Sequence, residues 1–368
     1  MGEKSSKWPF IIVSLLISTI LVTSAFIYYE SKTKEIRHDK NLTLSTINHL
    51  KLEQISQWRI EIIGQTRFIS TIGQVIRYTD RLIKDRNNKE ARDYFYETLQ
   101  PLKTNHNFEN ILICNKDGEL LYSLDESFST IDSVTSANIK SSVQGDSLVF
   151  GEIHYNSSRN KICIDITTPI KDNYGKVIGA FTEVIFPARF LFPMIHNWPM
   201  ETHTGETLLA KKLNDRVVFL SELRFKDNTR LTQFIPLSDT EVVAVKGTMG
   251  ERGVIEGVDY RGVHVLAELK PVPGTDWLLI TKIDKDEIYS EIFFRAETII
   301  LIVVISILTI IFGALFFYKY KQSNIYKILL SKEQEFKATL YSIGDAVITT
   351  DANGNIKQMN NVAEKLTG

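Results

Sequence analysis

The sequence predicts an α+β fold: two tandem antiparallel-sheet units on a long N-terminal helix, flanked by two membrane-spanning helices. Three observations predict it. Two uncharged apolar blocks, residues 8–29 and 298–318, each match the roughly 20 residues that cross a hydrocarbon core. Between them Ile55, Ile62, Ile69 and Ile76 recur at heptad spacing, with Leu44, Trp58 and Ile72 on an adjoining line. After Pro101 that period gives way to short apolar runs parted by Gly, Asn and Asp turns.

The first block competes with a cleavable signal peptide, whose apolar stretch is shorter, about 7–15 residues, and ends at small residues. Here the block ends in Phe26, Ile27, Tyr28 and Tyr29, which favours a retained span. The second block, apolar on every face apart from Ser306 and Thr309, favours lipid over a buried core helix. Lys4 and Lys7 precede the first block, and Lys319, Lys321, Lys327 and Lys332 follow the second. By the bias of positive charge toward the cytoplasm, both termini are expected inside and the intervening residues outside. The chain of 368 residues has 43% hydrophobic and 24% charged residues and a formal net charge of −1, a balance that points to no nucleic-acid partner. Cys114 and Cys163 both fall in the exported part, where a disulfide is permitted, and both sit in apolar runs that suit buried thiols.

The exported part opens on a helix expected to run unbroken to about residue 84, packed on its own domain, on a second copy, or on each along different stretches. Strand signals follow at residues 111–114 and 119–124 around a KDG turn, then at 151–155, 161–170 and 176–185. A second strand group covers 206–211, 217–220, 253–258, 263–271 and 277–283. A charged helix, residues 285–297, leads into the second span. From residue 318 to 343, Leu329, Phe336 and Ile343 keep a heptad line that Glu333 interrupts on its neighbour. At the end, "IGDAVITTDANGNIKQMNNVAEKLTG" reads as strand, turn, strand and an Asn-capped helix.

This organisation resembles the double Cache sensor domains of bacterial and archaeal receptors over roughly residues 35–295, with two PAS-like sheets. The most specific stretches are "GVDYRGVHVLAELKPVPGTDWLLITKIDKDEI" (residues 257–288) and "LKLEQISQWRIE" (residues 50–61). The C-terminal segment resembles the opening of a PAS domain, incomplete at some thirty residues, too few to bury a core. The expected division is a cytoplasmic N-terminus (1–7), first span (8–29), exported helix (30–84), membrane-distal Cache unit (85–200), membrane-proximal Cache unit (201–297), second span (298–318), helical linker (319–342) and incomplete PAS (343–368).

The resemblance implies a ligand cup in the distal unit, among residues 108–186. Amino-acid-binding members carry an Arg, Trp and Tyr cluster and an aspartate on the last strand. This sequence has no such cluster between Tyr122 and Phe150, and Val184 stands at the matched aspartate position. Polar residues able to line the cup are Tyr155, Arg159, Asp165, Thr167 and Glu183, since a buried polar group needs a partner and a ligand supplies one. None of the 7 histidines has another at i+4 spacing, which leaves only the loose pair His196 and His203, and no metal or cofactor is expected.

No histidine follows His264 and no ATP-binding core is visible, so no catalytic activity is expected of these residues. The implied function is a plasma-membrane receptor for an extracytoplasmic small molecule. It would be homodimeric and belong to a two-component sensor histidine kinase, with a response regulator as partner if a kinase core follows. A diguanylate cyclase or phosphodiesterase output is the alternative. From another class, a structural or adhesive ectodomain without a ligand stays open.

Overall fold

A computed structural model describes residues 8–106, 108–127, 130–157 and 160–368. They form two compact units: residues 35–291, and the residues up to Lys34 together with those from Ile292.

In the second of these, the apolar blocks are helical. The first lies at the start of α1 (Trp8–Ser70) and the second within α7 (Lys285–Ser342). Both helices are long and apolar enough to cross a membrane. Thr19, Thr23, Ser306 and Thr309 each return their hydroxyl to the carbonyl four residues back, which satisfies them within their own helix. The C-terminal residues form a hairpin of β13 (Ile348–Thr350) and β14 (Ile356–Met359), then α8 (Asn361–Thr367), capped by the Asn360 side chain accepting from Ala363 N.

The larger unit holds two six-stranded antiparallel sheets. The first comprises β1 (Phe108–Asn115), β2 (Leu120–Ser123), β3 (Val149–Phe150), β4 (His154–Asn156), β5 (Lys161–Lys171) and β6 (Val177–Ile185). Its order is β2-β1-β6-β5-β3, with β4 pairing the start of β5. The period-2 alternation divides its side chains between two covers. Ile111, Ile113, Ile166, Phe181 and Ile185 pack on Ile62 and Ile69 of α1, Val75 and Leu82 of α2 (Gly73–Lys84), and Phe95 and Leu99 of α3 (Lys89–His106). On the other face Cys114 and Ala180 meet Ile139 of α4 (Ser133–Gly145), while Leu112, Cys163 and Val184 cluster with Phe186. Both cysteines are buried free thiols, and burial pushes that of Cys114 up to about 12.

The second sheet comprises β7 (Glu206–Leu213), β8 (Arg216–Phe219), β9 (Phe234–Pro236), β10 (Gly253–Val258), β11 (His264–Pro271) and β12 (Trp277–Asp284), in the order β10-β11-β12-β7-β8-β9. Val243 and Val245 of α6 (Val243–Thr248) pack with Leu278 and Ile280 on one face. On the other face Leu209, Trp277 and Leu279 join Ile55 of α1, Ile164 of β5 and Leu191 of α5 (Leu191–His196), so one apolar cluster spans both sheets.

Helix α1 is pinned to the second sheet by polar contacts as well. Asn48 Nδ2 donates to Glu268 O at 3.2 Å and to Thr281 Oγ1 at 3.2 Å, and Arg59 Nη2 donates to Gly274 O at 2.8 Å. The heptad isoleucines Ile55, Ile62 and Ile69 are therefore consumed within the chain. Each such burial contributes about 1.5–3 kcal/mol.

The helix differs from expectation at its far end. It stops at Ser70 and restarts at Gly73, because Ser70 and Thr71 hydroxyls bond back to Arg67 O and Phe68 O. The amides of Thr71 and Ile72 tighten to i−3 partners, and Ile72 turns extended at ψ 122°.

Candidate functional site

The α4-covered face of the first sheet carries a cluster of ionisable side chains. It begins with Asp132, the N-cap of α4, whose carboxylate accepts from the amides of Val134 and Thr135. Thr135, one turn on, donates its hydroxyl to Asp165 Oδ2 of β5 at 2.6 Å and lies 3.1 Å from Asp132 Oδ2. Strand β4 turns His154 and Asn156 inward. Asn156 Nδ2 donates to Asp132 Oδ2 at 2.5 Å, and His154 Nε2 faces Asp132 Oδ2 at 3.4 Å and Asp165 Oδ2 at 3.8 Å. Asn138 Nδ2 approaches Asp165 Oδ2 at 3.5 Å. The backbone closes in at Gly151, whose amide donates to Asp165 O at 2.7 Å. A Cβ there would lie 2.8 Å from the backbone oxygen of Asp165, so the position needs glycine.

Proton positions follow from this geometry. His154 Nδ1 lies 3.1 Å from Glu152 O, and a carbonyl only accepts, so Nδ1 carries hydrogen. Nε2 then looks at two carboxylates. Burial disfavours the imidazolium, but the bond to Asp132 and the charge of Asp165 outweigh it and raise His154 above its ordinary value. Burial also opposes the Asp132 charge, yet His154 and the Thr135 amide bring its carboxyl down to about 2. Asp165 is fully buried, and that burial pushes it up to about 6 despite His154 and Thr135. Its Oδ1 has no hydrogen-bond partner among the described residues.

The five sequence candidates separate. Asp165 and Thr167 share this face, with Thr167 Oγ1 3.0 Å from Thr182 Oγ1. Glu183 lies on the opposite face, directly across from Ile166, where Thr66 of α1 donates to its Oε2 at 2.5 Å. Burial pushes the Glu183 carboxyl up to about 8 against that hydrogen bond. Tyr155, between the two inward residues of β4, is 53% exposed and donates its hydroxyl to Asn160. Arg159 lies outside the described residues. Sequence reading missed Asp132, Thr135, His154 and Asn156. The Asp-Ser-Val-Thr start of a helix pointed to the first two, and choosing the other phase of β4 gives the last two.

The second sheet has its own buried charges, all paired. Lys282, 1% exposed, lies 2.9 Å from Glu206 Oε2 and 2.7 Å from Asp259 Oδ2. Arg261 bridges Asp259 at 2.7 Å and Asp284 at 2.5 Å. Tyr260 OH donates to Glu206 Oε2 at 3.0 Å, and Arg224 N to its Oε1 at 2.7 Å. Burial works against the Asp259 charge, but Lys282 and Arg261 hold it below the usual carboxylate range. The first sheet therefore differs from the second in holding a buried acid oxygen that the described residues do not satisfy.

Comparison with known families matches residues 30–292 to the Cache domain in its dCache_1 form. The chain belongs to the Cache domain family. No curated protein sequence matches it. Among solved structures, the sensory domain of the Campylobacter jejuni chemoreceptor Tlp3 is similar at a TM-score of 0.52 and 11% identity, covering 70% of this chain and 98% of that one. The Tlp3 ligand-binding domain in complex with L-valine gives 0.50 at 11% identity, over 70% and 97% of the two chains. The ligand-binding domain of the Pseudomonas aeruginosa PAO1 amino-acid chemoreceptor PctB with L-Arg gives 0.48 at 16% identity, over 68% and 98%. The Tlp3 likeness establishes a shared fold. Cache domains are extracytoplasmic sensory domains, and in this one the acid cluster lies on the α4 side of the first sheet.

Proposed function

We propose that this Cache protein is the sensory part of a two-pass membrane receptor. In this reading both termini are cytoplasmic and a small molecule carrying a hydrogen-bond-donating or cationic group binds outside at the Asp132–His154–Asp165 cluster. The observation that carries the proposal is Asp165 Oδ1, buried and without a partner among the described residues, on a sheet face where Asp132, Thr135 and Thr167 are paired. A ligand amine there would satisfy the oxygen and hold Asp165 ionised. Two further features support the membrane reading: the helices able to span a bilayer, and the Lys-rich flank after the second apolar block.

The output is proposed to be a two-component histidine kinase acting on a response regulator, with residues 343–368 as the opening of a PAS domain. The receptor acts as a homodimer, and the residues described contribute sensing and no catalysis. A kinase core in the reading frame beyond Gly368 is the expected result, and a cyclase or phosphodiesterase core there would replace that output.

The binding test uses the full chain in detergent micelles with a panel of amino acids and primary amines, read by thermal unfolding. Amino acids lead the panel because the Tlp3 domain of the same fold is in complex with L-valine. A ligand that binds only the folded state raises its apparent stability. The expected result is at least one stabilising compound whose effect disappears in Asp165→Asn. A compound that stabilises wild type and Asp165→Asn equally places its site elsewhere and overturns the assignment.

A further inference from the structure

A cleft of about 540 Å³ opens where the two sheets meet, and its chemistry is the reverse of the acid cluster's. One wall comes from β4–β5 and the turn after β6, the other from residues 222–232 after β8. Its lining includes Lys161, Arg189 and Arg230 against the single carboxylate of Glu222, with Phe186 and Ile162 as apolar surface.

The cations are organised. Lys161 Nζ lies 4.6 Å and Arg189 Cζ 5.8 Å from the centre of the Phe186 ring, so one buried aromatic gathers two positive groups. Arg230 pairs with Glu222 and stands 5.4 Å from the Phe192 ring. Arg189 pairs with Glu109 at 2.8 Å, which does not line the cleft. Lys161 has no carboxylate within ion-pair reach among the described residues, so positive charge is in excess.

The backbone of both walls is held in the left-handed region, at Asn160 (φ 52°) and Asn228 (φ 56°), both lining residues, and at Leu231 (φ 59°) between two of them. For leucine this conformation is costly, and such costs gather where a loop is fixed for binding. The volume suits a small ligand, since such sites span about 300–1,000 Å³.

We infer that this cleft binds a small carboxylate-bearing anion. Its acid group is held by Lys161 and the arginine forks, and its carbon body rests on Phe186 and Ile162. Guanidinium groups match carboxylates in a two-point fork, and the aromatic floor favours an apolar body over inorganic phosphate. Because the walls belong to different sheets, occupancy ties the first to the second. The site is independent of the acid cluster, which would repel such an anion.

The test is titration calorimetry on the full chain in detergent, with sodium benzoate and sodium succinate as probes against sodium chloride at equal ionic strength. Benzoate or succinate is expected to bind wild type and Asp165→Asn alike, to bind Lys161→Gln/Arg230→Gln at least tenfold more weakly, and to recover with Lys161→Arg. Arg230→Gln leaves Glu222 without its partner. Should that variant misfold, Lys161→Gln alone, which breaks no ion pair among the described residues, decides the question. Absence of binding by both probes, equal binding to the Lys161→Gln protein, or loss of binding in Asp165→Asn overturns the inference.

Discussion

Asp165 of β5 and Val184 of β6 stand directly opposite each other, their side chains on one face of the first sheet. This sequence resembles double Cache domains, and the resemblance puts Val184 where the amino-acid-binding members of that family carry an aspartate. Here the acid reaches the same face from the neighbouring strand, with His154 and Asp132 beside it. This placement makes stability depend on pH. Asp165 holds its proton up to about 6 in the fold against an ordinary 3.8, so its contribution is greatest below about pH 4 and is lost as pH rises through 6. His154, raised above its ordinary 6.5, likewise contributes below that value and loses it at higher pH. Asp132, lowered to about 2, contributes above 3.8 and loses it only toward pH 2. The thermal midpoint should therefore fall between pH 5 and pH 8. Asp165→Asn should flatten that fall and raise stability at pH 8 by roughly 1–3 kcal/mol. A midpoint that rises with pH over this range would contradict the assignment.

Glu183 and Thr66 make a second, separable prediction on the other face. The carboxyl is raised from its ordinary 4.5 to about 8, so stability declines as pH climbs through that window. Glu183→Gln keeps an acceptor for the Thr66 hydroxyl and removes the titration. It should match wild type near pH 5 and exceed it near pH 9 by about 2–4 kcal/mol. Thr66→Val removes the only hydrogen bond to Oε2 that the described residues make. It should lower stability by about 1–3 kcal/mol at pH 5, in denaturant titrations of the full chain.

Much of this was legible in the sequence. The strand runs around Asn115–Gly118, Asp172–Gly175 and Asp259–Gly262 fold as antiparallel pairs, because turn chemistry and period 2 specify register locally. Two things were hidden. The heptad isoleucines leave open whether the helix packs on its own domain or on a second copy, since the same spacing serves both, and Ile55, Ile62 and Ile69 are buried within the chain. At the site, the sequence marks Tyr155, whose neighbours His154 and Asn156 turn inward instead. A three-residue strand carries too little pattern to set its phase, and only pairing with Lys161–Cys163 decides it.

Lys282 offers a sharp test of the second sheet. Its ammonium is shared by Glu206 and Asp259 and lies 5.0 Å from the Tyr260 ring. Lys282→Met leaves buried Glu206 without its cation and Asp259 with Arg261 alone, a loss of about 3–5 kcal/mol. Lys282→Met with Glu206→Gln should recover part of it, since one of the two charges is then gone. Unfolding of the variants by denaturant checks this. If the double change cost as much as the sum of the singles, the charges would not be coupled.

Helix α1 allows stability and self-association to be tested apart. Ile55 is fully buried in the cluster that joins both sheets, whereas Ile60 and Phe68, on another side of the helix, are 62% and 68% exposed. Ile55→Ala creates a cavity and should destabilise by about 2–5 kcal/mol. Ile60→Ala and Phe68→Ala remove little burial within the chain and should leave unfolding within about 0.5 kcal/mol of wild type. If the proposed homodimer packs through this exposed apolar side of α1, the same two changes weaken it. Sedimentation of the full chain in detergent should then show dimer in wild type and mainly monomer in the Ile60→Ala/Phe68→Ala protein. Dimer retained at equal strength in that variant would place the interface on a different surface, because truncating both side chains strips this stretch of α1 of its largest exposed apolar groups.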